Sequence, residues 1–132
     1  MDINITTLCV ALLGLLVVLL GFAVSLTRGS SKTNFGVTQD PTDRLYIMSR
    51  AHGNATEYVP MLAIMIYLIG QAEPATWELW LFGIVVAGRY AHAAGMILSS
   101  SLDKIQPLRV IGSMVTYIGG LVLGIDLLLK AF

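Results

Sequence analysis

Three polar side chains repeat at helical spacing inside an otherwise apolar part of the chain. Arg50, Asn54 and Glu57 stand at positions i, i+4 and i+7, which share one face of an α-helix over two turns. Arginine offers a planar fork of N–H donors to carboxylates, whereas glutamate accepts hydrogen bonds from an ammonium group. This face would therefore suit a zwitterionic ligand, or an anionic ligand with several carboxylates. His52 projects elsewhere and is expected to be a supporting or interfacial donor rather than a catalyst.

Two later segments carry residues that are expected to reach the same region. Arg89 and His92 are three residues apart and share a helix face, and Arg109 begins the last apolar segment. The alternative for two of these charges is that Glu57 and Arg89 pair across helices and only stabilise the bundle. The sequence leaves these two interpretations open. For His92 a structural role is favoured.

Several kinds of site have no counterpart in the sequence. The two histidines lack carboxylate or cysteine companions at metal-ligand spacing, so no metal site is predicted. There is no glycine-rich phosphate loop, nucleophile elbow or Ser/His/Asp arrangement, and a net charge of zero gives no indication of a nucleic-acid partner. The single Cys9 lies in an apolar run, where a thiol is usually inert. An enzyme of this kind would depend on a substrate that brings its own nucleophile.

The composition is typical of an integral membrane protein. Of 132 residues, 56% are hydrophobic and only 12% are charged, and the mean hydropathy is +0.79. An ordinary soluble domain carries about 25% charged residues. Four apolar segments, each long enough to span a bilayer, are predicted as helices at about 5–26, 45–69, 75–99 and 108–129. The sequence thus predicts a single domain over residues 1–132, an all-α bundle of four transmembrane helices.

Charged residues near the helix ends indicate the orientation of the bundle. The basic residues of the connections concentrate at the first and third loops: Arg28, Lys32, Arg44, Lys104 and Arg109. These loops are therefore expected to face the cytoplasm, with both termini outside. The leader Met1-Asp2 is acidic, which favours a retained first helix over a cleaved signal peptide. At the outer end, Asp126 and Lys130 are spaced to form a surface pair.

Small residues at regular spacing are expected to form packing faces. Gly14 and Gly21 are a heptad apart, Ala91 and Gly95 are four residues apart, and Gly120 and Gly124 form a GxxxG pattern. Such spacing lets helix backbones approach closely. A four-helix chain of this size buries little core alone, so neighbouring copies are expected to complete it.

Four runs of the sequence resemble the motifs of a known family. They are Asp40–Arg44, Arg50–Pro60, Gly88-Arg89-x-x-His92 and Pro107-Leu108-Arg109. Together they resemble the MAPEG family, membrane-associated proteins in eicosanoid and glutathione metabolism, and the short loops are most similar to its bacterial branch. The resemblance implies a homotrimer of four-helix subunits in a bacterial inner membrane. Glutathione would be held between neighbouring subunits, in a site that opens to the cytoplasm.

The resemblance also implies a reaction, with glutathione as co-substrate. The residues expected to bind it are Arg28 (or Lys32), Arg50, His52, Asn54, Glu57 and Arg89. Arg109 would lie near the thiol as the catalytic residue, because a positive group there lowers the thiol pKa and raises the thiolate fraction. The second substrate would be an apolar electrophile or lipid hydroperoxide that enters from the bilayer. A glutathione transferase or peroxidase of the detoxifying type is the function favoured.

Three positions depart from the pattern of the eicosanoid-synthesising members. Gly53 stands where they have a further arginine, Met96 where they have a tyrosine, and Val110 where some have a serine. Prostaglandin or leukotriene synthesis is therefore not supported, and a general transferase or peroxidase is favoured. The alternative is a non-catalytic membrane protein that binds a lipid or a partner through a trimeric bundle. A small four-helix exporter is disfavoured because the first helix has no carboxylate.

Overall fold

The structure is a computed structural model that describes residues 4–132, and the leader Met1-Asp2 lies outside these residues. The described residues form four helices. They are α1 (Ile5–Ser31), α2 (Arg44–Gly70), α3 (Thr76–Ile97) and α4 (Pro107–Leu129), and residues 4–132 contain no strand. The predicted all-helical fold is thereby confirmed. By length and composition, α1, α3 and α4 can each cross a membrane. α2 has 27 residues but falls outside this group, because polar residues in its first half lower its hydropathy.

The helix ends differ from the sequence prediction at two places. α1 continues to Ser31 rather than ending near residue 26, and it closes at Lys32 in the left-handed conformation. α2 begins at Arg44, close to the start of its predicted apolar segment, although the run Asp40–Asp43 is typical of a turn that leads into a helix at Pro41 or Thr42. The reason is a turn in which the Asp40 carboxylate accepts hydrogen bonds from the hydroxyl and N–H of Thr42, at 2.7 and 2.8 Å. These bonds also lower the pKa of Asp40.

The helices pack as two hairpins. α1 packs along α2 and α3 along α4, while α2 also contacts α3 and α4, and α1 contacts α3. The core between them is aliphatic and aromatic, and its fully buried members are Leu13, Ala55, Ile66, Ile69, Phe82, Val85 and Leu123. Between helices that can cross a membrane, such side chains stabilise the bundle through van der Waals contacts, so this core fixes how the helices are rotated against one another.

Glycines bring α3 and α4 into backbone contact. They form two pairs, each a heptad apart: Gly88 and Gly95 on α3, Gly112 and Gly119 on α4. A methyl group added at Gly112 would lie 2.5 Å from the backbone nitrogen of His92 and 2.6 Å from the backbone oxygen of Gly88, where no side chain fits. Of the glycines predicted from spacing, Gly95 belongs to this contact, whereas Gly14 has only open space around it and Gly124 meets nothing closer than 3.9 Å. The close contact holds His92 and the start of α4 together.

The two ends of the bundle are distinct. At one end the first and third loops meet, where the N–H of Leu102 donates to the carbonyl of Pro41 at 2.9 Å. At the other end Lys130 Nζ lies 2.8 Å from the Glu78 carboxylate, and this bond raises the pKa of Lys130. The predicted Asp126–Lys130 pair is therefore wrong, because the first turn of α3 brings Glu78 to the end of α4, and one Asp126 oxygen is buried without a partner.

Candidate functional site

A cavity of about 450 Å³ opens at the end of the bundle that holds the first and third loops. Residues from α2, α3, α4 and both loops line it, including Arg50, Asn54, His92, Met96, Asp103 and Arg109. Small-molecule sites typically enclose about 300–1,000 Å³ and carry a few convergent polar groups. The cavity meets both criteria, with two guanidinium groups, two side-chain amides, an imidazole and a carboxylate in its wall.

Arg50 and Asn54 present donors to this cavity, as their shared helix face predicts. The Arg50 side chain is exposed and makes no hydrogen bond within residues 4–132, so its guanidinium is available to a ligand. The Asn54 side-chain oxygen accepts a hydrogen bond from Arg89 Nη2 at 2.8 Å. Arginine only donates, so the amide oxygen must be the atom that faces it. The two N–H donors of the Asn54 amide are then left for the cavity.

Arg89 lies behind Asn54 and does not line the cavity. It is 1% exposed, and its second terminal nitrogen lies 3.3 Å from the Thr116 hydroxyl. The guanidinium carbon lies 5.4 Å from the centroid of the Tyr58 ring, within cation–π range. Within residues 4–132 Arg89 forms no ion pair with Glu57, the pairing that would have given these two charges a purely structural role. Arg89 therefore orients the Asn54 amide from inside the bundle.

Glu57 is separated from Arg50 and Asn54. It is exposed and lines a second hollow of about 310 Å³ between α2 and α4, together with Tyr58 and Tyr117. Three residues of helix carry Glu57 about 4.5 Å further along the axis than Asn54. One helix face thus serves two neighbouring hollows, a division that the i, i+4, i+7 spacing does not reveal.

Two of the sequence candidates, Arg28 and His52, lie away from both hollows. Arg28 donates to the carbonyl of Gly36 at 2.9 Å and so closes the first loop against the end of α1. His52 packs on α1, where a methyl group added at Gly21 would lie 3.2 Å from its Nε2 atom. Within one chain, neither side chain reaches the wall of the cavity.

Arg109 lies in the cavity wall with its guanidinium fixed. Its two terminal nitrogens donate to the carbonyls of Leu102 and Lys104, at 2.9 and 3.0 Å. These bonds tie the third loop to the start of α4 and hold the positive charge at the edge of the cavity. A fixed cation in a partly enclosed site can stabilise an anion that develops beside it.

His92, for which the sequence favours a structural role, lies in the cavity wall. It is 7% exposed and lines the cavity, and its Nδ1 atom lies 3.0 Å from both the Arg109 carbonyl and the Ser113 hydroxyl. The spacing from Arg89 places it on the same face of α3, but only the crossing of α3 and α4 at their glycines turns that face toward the cavity. Within the described residues, no group of His, Cys, Asp or Glu side chains could hold a metal ion.

The comparison with known proteins agrees with this architecture. The MAPEG family model matches residues 6–129, nearly the whole chain. Neither a curated protein nor a solved structure matches the chain. Together with the three helices of membrane-spanning length and composition, the match identifies a membrane protein. The chain belongs to the MAPEG family.

Proposed function

We propose that this protein is a glutathione-dependent transferase or peroxidase that acts on apolar electrophiles or lipid hydroperoxides in the membrane. The observation that carries the proposal is the polar cavity at one end of an apolar bundle, with Arg50, Asn54 and Arg109 in its wall. MAPEG members include glutathione transferases and peroxidases. Apolar substrates concentrate in the bilayer, so an enzyme embedded there meets them where they dissolve.

The chemistry of the cavity suits the groups of glutathione. The tripeptide has two carboxylates, one ammonium group and one thiol. The free guanidinium of Arg50 and the amide donors of Asn54 fit a carboxylate, and Asp103 can accept from the ammonium group. Arg109 is then the cation for the sulfur. In this arrangement Arg89 contributes through Asn54 rather than by touching the ligand.

The proposal includes a homotrimer with four spanning helices in a bacterial inner membrane, its first and third loops in the cytoplasm. Support comes from the exposed face of α2, where Arg50 and Glu57 make no hydrogen bond or ion pair within residues 4–132. Charged side chains that face lipid are costly, and those inside membranes almost always face protein or water. A neighbouring copy over the hollow beside Glu57 would remove that cost and bring its carboxylate to a ligand shared between subunits.

Topology and assembly can be tested with single cysteines. In a Cys9→Ala background, Ser31→Cys should react with an impermeant maleimide only from the cytoplasmic side, and Thr76→Cys only from the opposite side. Both positions are exposed, at opposite ends of the bundle. Light scattering in mild detergent should give the mass of three chains. The reverse labelling pattern would contradict the orientation, and a monomer would contradict sites shared between subunits.

The Arg50→Ala variant should bind glutathione about ten- to a hundredfold more weakly, since a lost charge-assisted hydrogen bond costs about 1.5–3 kcal/mol. Isothermal calorimetry of the detergent-purified protein measures this change. Lys104→Ala is the matched control, because it removes one positive charge at the same end of the bundle without altering the cavity wall. Equal affinity of Arg50→Ala and wild type would exclude Arg50 from the site.

One observation favours the non-catalytic alternative. Four arginines already donate to oxygen atoms of their own chain, as structural arginines do: Arg28, Arg44, Arg89 and Arg109. Under this alternative the protein would bind a lipid or partner and would not respond to glutathione. Arg50 separates the two functions, because it makes no hydrogen bond within residues 4–132 and yet lines the cavity.

A further inference from the structure

The environment of His92 fixes which ring nitrogen carries the proton. Nδ1 lies 3.0 Å from the carbonyl oxygen of Arg109 and 3.0 Å from Ser113 Oγ. The Ser113 hydroxyl in turn donates to that same carbonyl at 2.9 Å. A carbonyl oxygen can only accept, so Nδ1 must be the donor in this group. In the neutral imidazole the lone pair then resides on Nε2.

The His92 ring lies in the cavity wall, where that lone pair can accept a proton from a bound ligand. His92 lines the cavity with Arg50, Asn54 and Arg109, and its Nε2 atom has no hydrogen-bond partner within residues 4–132. The other titratable groups in the cavity wall are Tyr46 and Asp103. Arg89 lies behind this wall, on α3 like His92. A carboxylate is a much weaker base than an imidazole, so the imidazole is the group of this wall that is suited to accept a proton from a thiol.

We propose that His92 is the general base of this site and removes the proton of the thiol, an inference that rests on the proposed function. The S–H bond breaks, the proton moves to Nε2, and the electron pair remains on sulfur beside Arg109. With a hydroperoxide, the thiolate attacks the terminal oxygen, forming an S–O bond while the O–O bond breaks. The alkoxide that leaves takes the proton from the imidazolium. The products are an alcohol and the sulfenic acid of glutathione, and His92 is neutral again.

The neighbouring charges suit this cycle. Arg109 stabilises the thiolate, and together with Arg89 it also disfavours a lasting positive charge on the imidazole. The proton is therefore held only until a more basic oxygen leaves the substrate. Arg109 contributes twice, since its guanidinium faces the anion and its backbone carbonyl orients the base. The close approach of α3 and α4 at Gly95 and Gly112 allows both contacts.

The test is the pH dependence of turnover of the full-length protein with glutathione and cumene hydroperoxide. Wild-type turnover should rise with pH through an inflexion set by the His92 imidazole. His92→Gln should lose that inflexion and run about 10²-fold slower at pH 7, with the deficit shrinking as the solution thiol ionises at alkaline pH. Its affinity for glutathione should stay within about twofold of wild type, since a base removed from the reaction leaves the binding groups in place.

Ser113→Ala provides a second variant that leaves the imidazole present. It removes one neighbour of Nδ1 and should move the inflexion with a smaller loss of rate. A His92→Gln protein that keeps the inflexion, or that slows equally at every pH, would overturn the inference while the proposed function stands. A wild-type protein that neither binds nor turns over glutathione would refute the proposed function itself. If His92→Gln does not fold, an unchanged inflexion in Ser113→Ala overturns the inference.

Discussion

Turnover of glutathione with cumene hydroperoxide is expected to fall about 10²–10³-fold when Arg109 is replaced by alanine, which corresponds to about 2.7–4 kcal/mol. The guanidinium is held at the cavity wall by the carbonyls of Leu102 and Lys104, so its charge is already in place before the thiolate forms. Glutathione affinity should fall much less, because the charge acts mainly on the sulfur. Steady-state kinetics and calorimetry on the same preparation separate the two effects.

Arg109→Lys is the matched variant for this prediction. Lysine restores the charge but cannot reproduce the planar fork that reaches two carbonyls, so partial recovery of turnover is expected. Thermal unfolding of both variants shows how much the third loop depends on those bonds. If Arg109→Ala turns over as wild type does, or if Arg109→Lys regains stability but no activity, the charge does not act on the thiol.

The second large effect is expected from packing, in Gly112→Ala. The added methyl group would lie 2.5 Å from the backbone nitrogen of His92 and 2.6 Å from the backbone oxygen of Gly88. A helix backbone cannot move aside as a flexible side chain can. Overpacking of a tight core costs about 1–3 kcal/mol, and backbone contact on two sides places this variant at the upper end. The midpoint of thermal unfolding in detergent should fall clearly below that of wild type.

Gly83→Ala is the control, since it makes the same change on α3 at a position with nothing within 4 Å. Alanine is the better helix former by about 1 kcal/mol, so this variant should be as stable as wild type or more so. Equal stability of Gly112→Ala and Gly83→Ala would mean that the glycines do not set the distance between α3 and α4.

The sequence predicts the helices well, because long apolar runs bounded by polar turns permit few other structures. It fails at helix ends that depend on a single side chain, as where Asp40 holds Thr42 in a turn ahead of α2. It also fails for Lys130, whose partner is Glu78 on another helix rather than Asp126 on its own. Spacing within one helix carries no information about what the neighbouring helix presents.

The candidate site shows the same limit. The spacing of Arg50 and Asn54 places both at one cavity, yet the same regularity places Glu57 in a different hollow. The sequence indicates a polar role for Arg89 but not that Asn54 is its acceptor, and it gives no reason to favour His92. These features arise from how α3 and α4 cross at Gly88, Gly95, Gly112 and Gly119, which depends on the whole core.

The central claim is that the cavity binds glutathione and favours its thiolate. The most direct measurement is the ultraviolet difference spectrum during titration of the detergent-purified protein with glutathione at pH 7, where only a few per cent of a free thiol is ionised. We expect a saturable thiolate band in the wild type, and a much smaller band in Arg109→Ala. An S-alkyl glutathione, which has no thiol, should compete for the site without producing the band. A wild-type protein that shows no saturable thiolate absorbance and no competition would contradict this account of the cavity.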